Sequence, residues 1–178
     1  MSAMRFDHYI IRPLAENDLL PYFEMVERNR PRLEQFFTGT VSRTRTLADT
    51  QAFLADIAER VQARTYLPYV IVDEATGRFI GFLDLKNIDW SIPKSEVGCY
   101  VDAAAAGQGV ATRAFQVFCA YCFAEFKLRK LFLRTHESNT AARRVAEKAG
   151  FAVEGVIRCD YKTTAGEVVD LIYYGRLG

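Results

Sequence analysis

The sequence predicts an α/β (α+β) fold on one mixed, mostly antiparallel central sheet flanked by helices, and three observations lead there. Residues 95–101, the loop Gly107-Gln108-Gly109, an amphipathic run from Val110 and the strand-like stretch 130–135 follow one another. They spell strand, glycine loop, crossover helix and parallel strand. Two β-rich runs, 66–72 and 79–85, flank Asp73-Glu74-Ala75-Thr76-Gly77-Arg78 as a hairpin. Two further strands, about 152–157 and 167–176, close the chain after Gly150.

In chain order, residues 6–12 form a first strand, ended by Pro13-Leu14. Asp18 caps a helix in which Leu19, Phe23 and Val26 recur at helical spacing, with Pro21 in the first turn, where a missing N–H costs little. Residues 32–45 are irregular and carry Phe36 and Phe37. Thr46-Leu47-Ala48-Asp49 resembles a capping box, and Phe53, Leu54, Ile57, Ala58 and Val61 form the apolar stripe of the helix it starts. An exposed connection with Trp90 and Pro93 leads to the glycine-loop strand. In the following helix Val110, Ala114, Val117, Phe118 and Tyr121 share the face that lies on the sheet. Ser138 or Asn139 begins the last helix, and Gly150 closes it at C′. No linker, repeat or low-complexity tract divides residues 1–178, which form one domain.

Composition narrows the partners. Half the residues are apolar, and 23 basic side chains stand against 22 acidic ones. That balance leaves no electrostatic footprint for nucleic acid or for an anionic membrane, so a phosphorylated ligand must be gripped locally. No apolar run approaches the roughly 18 residues of a spanning helix, and the start Met1-Ser2-Ala3-Met4-Arg5 lacks the apolar core of a signal peptide. A cytoplasmic location is expected. Cys119 and Cys122 have C-x-x-C spacing, but they fall mid-helix without a second pair, which favours packing over redox or zinc chemistry. No metal site is expected, since neither His8 nor His136 has enough potential ligands near it.

The glycine loop carries the chemistry. Two glycines one residue apart let successive main-chain N–H groups converge on an anion, and the helix behind adds its unpaired first-turn donors. Gly109 is followed by Val110-Ala111 and not by Lys-Ser/Thr, which excludes a nucleotide-triphosphate P-loop. A dinucleotide fingerprint also fails, because Thr112 and Lys130 stand near the places of its third glycine and its acid.

Ala106-Gly107-Gln108-Gly109-Val110-Ala111 instead resembles the acetyl-CoA loop of the GNAT acyltransferases, Q/R-x-x-G-x-G/A, with Ala106 in place of the usual Gln or Arg. Asn139 to Phe151 is similar to the second signature of that superfamily, N-x-x-[AS]-x-x-x-x-E-K-x-G-F. Ile11-Arg12-Pro13-Leu14, Asp18, Arg28-Asn29-Arg30 and Leu33 resemble the RimJ/RimL branch, which acetylates protein N-termini. The resemblance implies a sheet splayed between its fourth and fifth strands, here 95–101 and 130–135, with acetyl-CoA in the gap. It assigns the pantetheine arm to backbone near Tyr100 and Val101, and the pyrophosphate to the amides of Gly107, Gln108, Gly109, Val110, Ala111 and Thr112. Asn139 approaches the cofactor from the other wall unless it only caps its helix. Arg143 and Arg144 serve the 3′-phosphate or solvate a helix face. Arg113, a cation in the first turn of a helix, calls for a nearby anion, or else is an exposed arginine tolerated at small cost.

The implied reaction is direct attack of a neutral amine on the thioester, which needs a base, an oxyanion donor and a proton for the leaving thiolate. Glu96 and Asp160 are the candidate bases, each equally a candidate surface charge. The two proton donors common in the superfamily are missing: Ala146 stands where a tyrosine is usual and Ala142 where RimL-like enzymes carry a serine. Deprotonating an α-amine of pKa about 8 at pH 7 costs about 1.4 kcal/mol, against about 4.6 for a lysine amine near 10.4. A weak base therefore suits a protein N-terminus. A small-molecule amine remains open, as does a module that binds acetyl-CoA without turnover. The acceptor pocket should involve residues 29–40 and the loop around Trp90, and Phe36 and Phe37 either line it or pack under the 32–45 loop. The resemblance also implies an exposed C-terminal edge strand that could pair two copies into a homodimer.

Overall fold

The computed structural model describes residues 2–178. Its strands are β1 (Met4–Phe6), β2 (Tyr9–Pro13), β3 (Leu67–Asp73), β4 (Phe79–Asp89), β5 (Lys94–Val101), β6 (Lys130–Thr135), β7 (Ala152–Lys162) and β8 (Val168–Leu177). They form one sheet in the order β1-β2-β3-β4-β5-β6-β8-β7. Every neighbouring pair is antiparallel except β5 and β6, the two strands joined by the crossover helix. The helices are α1 (Leu19–Leu33), α2 (Thr38–Ser42), α3 (Leu47–Gln62), α4 (Val110–Phe126) and α5 (Thr140–Lys148). Among the described residues no helix is long and apolar enough to cross a membrane.

The sheet is buried on both faces near its centre, and the alternation along β3 shows how. Tyr69 and Ile71 join the core under α4 with Leu83, Val97 and Phe118, while Val70 and Val72 join the core under α1 and α3 with Tyr22, Met25, Phe53 and Phe82. A strand covered twice has no polar face, hence its unbroken apolar run. In α4 the stripe is Val110, Ala114, Phe115, Phe118, Cys119 and Cys122, all buried, with Val117 and Tyr121 only partly covered. Burial pushes the Cys119 thiol up to about 12, so these cysteines pack and do not react at neutral pH. The capping box of α3 is present: the Asp49 N–H donates to Thr46 Oγ1 and the Thr46 N–H to Asp49 Oδ2, each at 3.1 Å. At the end of α5, Gly150 has φ 81°, its N–H donates to Glu147 O, and the Phe151 N–H donates to Ala146 O. This is a Schellman closure.

Three predicted elements differ. The strand expected over residues 6–12 is broken at Asp7, which takes φ 49°, so that β1 folds back on β2 and buries Met4 and Phe6. Aspartate is among the few residues that enter this region readily. The segment 32–45 contains α2, tied down by the Arg30 guanidinium, which donates to the carbonyls of Val41 and Thr44. Asp18 stands at the start of α1 without capping it. Its carboxylate instead accepts from Arg12 Nη1 (2.7 Å), Arg12 Nη2 (2.8 Å) and the Ala15 N–H.

The sheet splits where the site lies. β5 and β6 pair only over Lys94↔Lys130, Ser95↔Leu131 and Glu96↔Phe132, although β5 continues to Val101 and β6 to Thr135. Each strand keeps its other neighbour along this length, β5 up to Val101↔Gly81 and β6 up to Thr135↔Ile172. A V-shaped gap opens between them with free main chain on its inner edges.

Candidate active site

From the crotch of the V extends a cavity of about 970 Å³, walled by the far half of β5, the end of β6, the start of α5 and the α1–α2 segment. The β7–β8 hairpin roofs it. Tyr161 Oη accepts from the Thr38 N–H at 3.1 Å and lies 2.6 Å from Thr38 Oγ1, while Thr164 Oγ1 donates to Glu34 O at 3.0 Å. Phe36 and Phe37 line the cavity, Phe37 edge-on to Tyr100 at 5.2 Å. Trp90, expected near the acceptor pocket, is elsewhere: its indole N–H donates to Arg64 O and its ring packs against Phe126.

The glycine loop lies exposed beside the gap. Gly107 and Gly109 take φ 77° and 81°, values that make glycine the residue of choice at both places. Gly109 is the N-cap of α4 and offers no side chain to it, whereas Thr46 and Asn139 cap α3 and α5. The amides of Gly107, Gln108, Gly109, Val110, Ala111 and Thr112 all lack a hydrogen-bond acceptor among the described residues. Six consecutive open donors at a helix N-terminus suit an extended anion such as a diphosphate.

What holds the stem of this loop, residues 101–103, is α1. Asn29 Oδ1 accepts the Ala103 N–H at 2.9 Å while Asn29 Nδ2 donates to Met25 O, and Arg28 pairs with Asp102 at 3.1 Å while also donating to Phe79 O. Asp102 in turn accepts the Ala104 N–H at 3.0 Å. Burial works to raise the Asp102 pKa, but the bonds from Ala104, Asn29 and Arg28 outweigh it and hold the carboxyl below its usual range. Arg32 reaches Val101 O at 3.4 Å. The Arg28-Asn29 pair singled out in the sequence is thus a clamp on the loop.

The candidate residues fall into separate groups. Tyr100, Val101, Ala111 and Asn139 line the cavity, while Gly107, Gln108, Gly109, Val110, Thr112 and Arg143 lie outside its lining. Asn139 Oδ1 accepts the Ala142 N–H at 3.1 Å, so it caps α5 from a position on the cavity wall. Arg143 donates to Tyr174 Oη and Glu137 O. The anion beside Arg113 is Asp7 at 2.7 Å, a partner supplied by the turn that breaks the predicted first strand. Glu96 and Asp160, far apart in sequence, are brought together on one guanidinium. Arg134 Nη2 donates to Glu96 Oε2 and Arg134 Nη1 to Asp160 Oδ2, both at 3.0 Å. Asn87 Nδ2 also donates to Glu96 Oε2, at 2.7 Å.

Sequence reasoning missed two features of the cavity. Asp84 interrupts the apolar run of β4 and lies on the cavity wall, 7% exposed, with Oδ2 accepting from Tyr66 Oη at 3.1 Å. One charge in a buried strand was the available signal. His136 and Ser138 also line the cavity next to Asn139. Nδ1 of His136 accepts the Ser138 N–H at 3.2 Å and lies 2.7 Å from Ser138 Oγ, which places the proton of the neutral ring on Nε2. Of the two alanines at the usual donor positions, Ala142 lines the cavity and Ala146 is fully buried.

The chain matches the family described as Acetyltransferase (GNAT) domain over residues 8–152. It is 26% identical over 152 residues to the spermidine N(1)-acetyltransferase of Escherichia coli, covering 85% of this chain and 76% of that protein. The ribosomal-protein-S5-alanine acetyltransferase of Vibrio fischeri superposes with a TM-score of 0.91 at 21% identity, covering 99% and 97% of the two chains. RimL, a ribosomal L7/L12 alpha-N-protein acetyltransferase solved in complex with coenzyme A, gives 0.89 at 18% identity over 99% and 98%. These two structures share the fold.

Proposed function

This chain belongs to the GNAT acetyltransferase family, and on that footing we propose that it moves an acetyl group from acetyl-CoA to the α-amine of a protein N-terminus. The amine nitrogen attacks the thioester carbon, the C–N bond forms, the C–S bond breaks, and coenzyme A leaves as its thiol after taking up a proton. The open amides 107–112 take the diphosphate, and the unpaired edge of β5 beyond Glu96 takes the pantetheine arm as an added strand would. Asn139 contacts the cofactor from the α5 side. The Ser138 hydroxyl, on the cavity wall, replaces the absent Tyr and Ser as the source of the thiolate proton.

The roof carries the choice of acceptor. The hairpin hooked to α2 through Tyr161 and Thr38 roofs the cavity, which supports an acceptor entering end-on, as a chain terminus does. A small amine fits the same entrance, and the spermidine-acetylating relative makes it the second reading. A panel of peptides with free N-termini, set against spermidine and amino-acid amides, tests the proposal by turnover with acetyl-CoA. Preferred peptide turnover is expected, and acetylation confined to free small amines would reject it. In the same assay Glu96→Gln and Asp160→Asn are each expected to lose rate most at low pH if the residue accepts the proton. Unchanged rates in both would assign that proton to water.

A further inference from the structure

At the crotch of the V, two carboxylates face one ammonium at ion-pair distance. Lys86 Nζ lies 3.6 Å from Asp84 Oδ1 and 3.9 Å from Glu96 Oε1. Among the described residues the buried Asp84 Oδ1 has the Lys86 ion pair but no close hydrogen-bond donor, whereas the other oxygen of the same carboxylate is held by Tyr66. A buried carboxylate oxygen left this way carries a desolvation cost that a donor would relieve. The bay is kept open by a missing side chain. Gly98, the cross-strand partner of Asp84, sits two residues beyond the last β5–β6 pair, where the thioester must lie if the open edge of β5 binds its arm. A Cβ there would collide with Asp84 Oδ1 and come within 3.1 Å of Lys86 Nζ.

The two carboxylates of the bay differ in their charge balance. Glu96 shares the Arg134 guanidinium with Asp160, whereas among the described residues Asp84 pairs only with the Lys86 ammonium. Resting on the function proposed above, we infer that the Asp84–Glu96 bay seats the acceptor's primary ammonium, and that Lys86 stands in for it when no acceptor is bound. The ligand class is a primary amine arriving protonated, with no carboxylate of its own near the nitrogen. On entry it donates to Asp84 Oδ1, and the Lys86 side chain, about one-third exposed, swings outward.

The two side chains must then act in opposite directions, which a merely structural cluster would not produce. Initial rates are measured with acetyl-CoA and either the hexapeptide Ser-Ala-Gly-Ala-Gly-Tyr or spermidine, whichever the wild type acetylates. Asp84→Asn should raise the acceptor KM by about tenfold or more, the scale of a lost charge-assisted hydrogen bond, and leave the acetyl-CoA KM unchanged. Gly98→Ala, which displaces the carboxylate without removing it, should do the same more weakly. Lys86→Met should lower the acceptor KM by several-fold. Thermal melts establish that each variant is folded. An acceptor KM unchanged in Asp84→Asn, or raised in Lys86→Met, would overturn the bay and leave the acetyltransferase reading standing. A wild type that binds acetyl-CoA and acetylates neither probe nor any other primary amine overturns both.

Discussion

At the scale of the residue, Gly109 joins backbone strain to ligand affinity. Its φ of 81° lies where a β-branched side chain is strongly disfavoured, while a Cβ built there meets nothing within 4 Å and points into open space. Gly109→Val should therefore act twice. The free protein should lose about 1–3 kcal/mol, the cost of holding a residue in a sparsely populated conformation. It should also lose the rise in melting temperature that acetyl-CoA gives the wild type by mass action. Two melts per protein, with and without acetyl-CoA, check both outcomes. A variant melting like the wild type and still shifted by acetyl-CoA would remove the loop from the site. Gly98 lacks a side chain for a different reason. Its φ is not in the left-handed region, and the constraint is the carboxylate packed above it, which is visible only once β4 and β5 are paired.

Among the elements, α1 anchors the Asp102-Ala103 stem that leads into the glycine loop. Asn29 is 1% exposed and bonds in both directions, to the Ala103 N–H and to Met25 O. Asn29→Ala takes away the acceptor of the Ala103 N–H, a half-buried bond, and should cost about 0.5–1.5 kcal/mol. It should also weaken acetyl-CoA binding with little effect on the acceptor KM, read by urea melts and by initial rates. Equal weakening for both substrates would contradict a role confined to the loop. The same elements show what a sequence discloses. α3, α5 and the β5–α4–β6 crossover were legible because a capping box, a Schellman glycine and helical stripes are local signals. α2 was not, since its five residues are held by Arg30 from a neighbouring helix. The break at Asp7 was also hidden: β1 gains its place only by burying Met4 and Phe6 against residues remote in sequence.

For the molecule as a whole, stability and site share the same charges. Because bonds hold the folded Asp102 carboxyl below its usual pKa, the unfolded chain takes up its proton first as pH falls. Asp102 therefore contributes stability above about pH 4, and that contribution disappears as pH drops through its folded value. Asp102→Asn should be less stable than the wild type at pH 7, and the difference should shrink by pH 2–3 in urea denaturation. A gap constant across that range would mean that the carboxylate charge is irrelevant to the clamp. The pairing of Glu96 with Asp160 through Arg134, and the bay at Asp84, arise only when β4, β5, β6 and β7 meet, so the sequence offers the residues but not their grouping. The hook between Tyr161 and Thr38 joins two segments that contribute nothing to the glycine loop. On the function proposed above, changes at this latch would re-tailor the acceptor's doorway and leave the glycine loop untouched. Exchanging the residues of this clasp would then change which amines are admitted, polypeptide ends or polyamines, without disturbing the berth of the coenzyme.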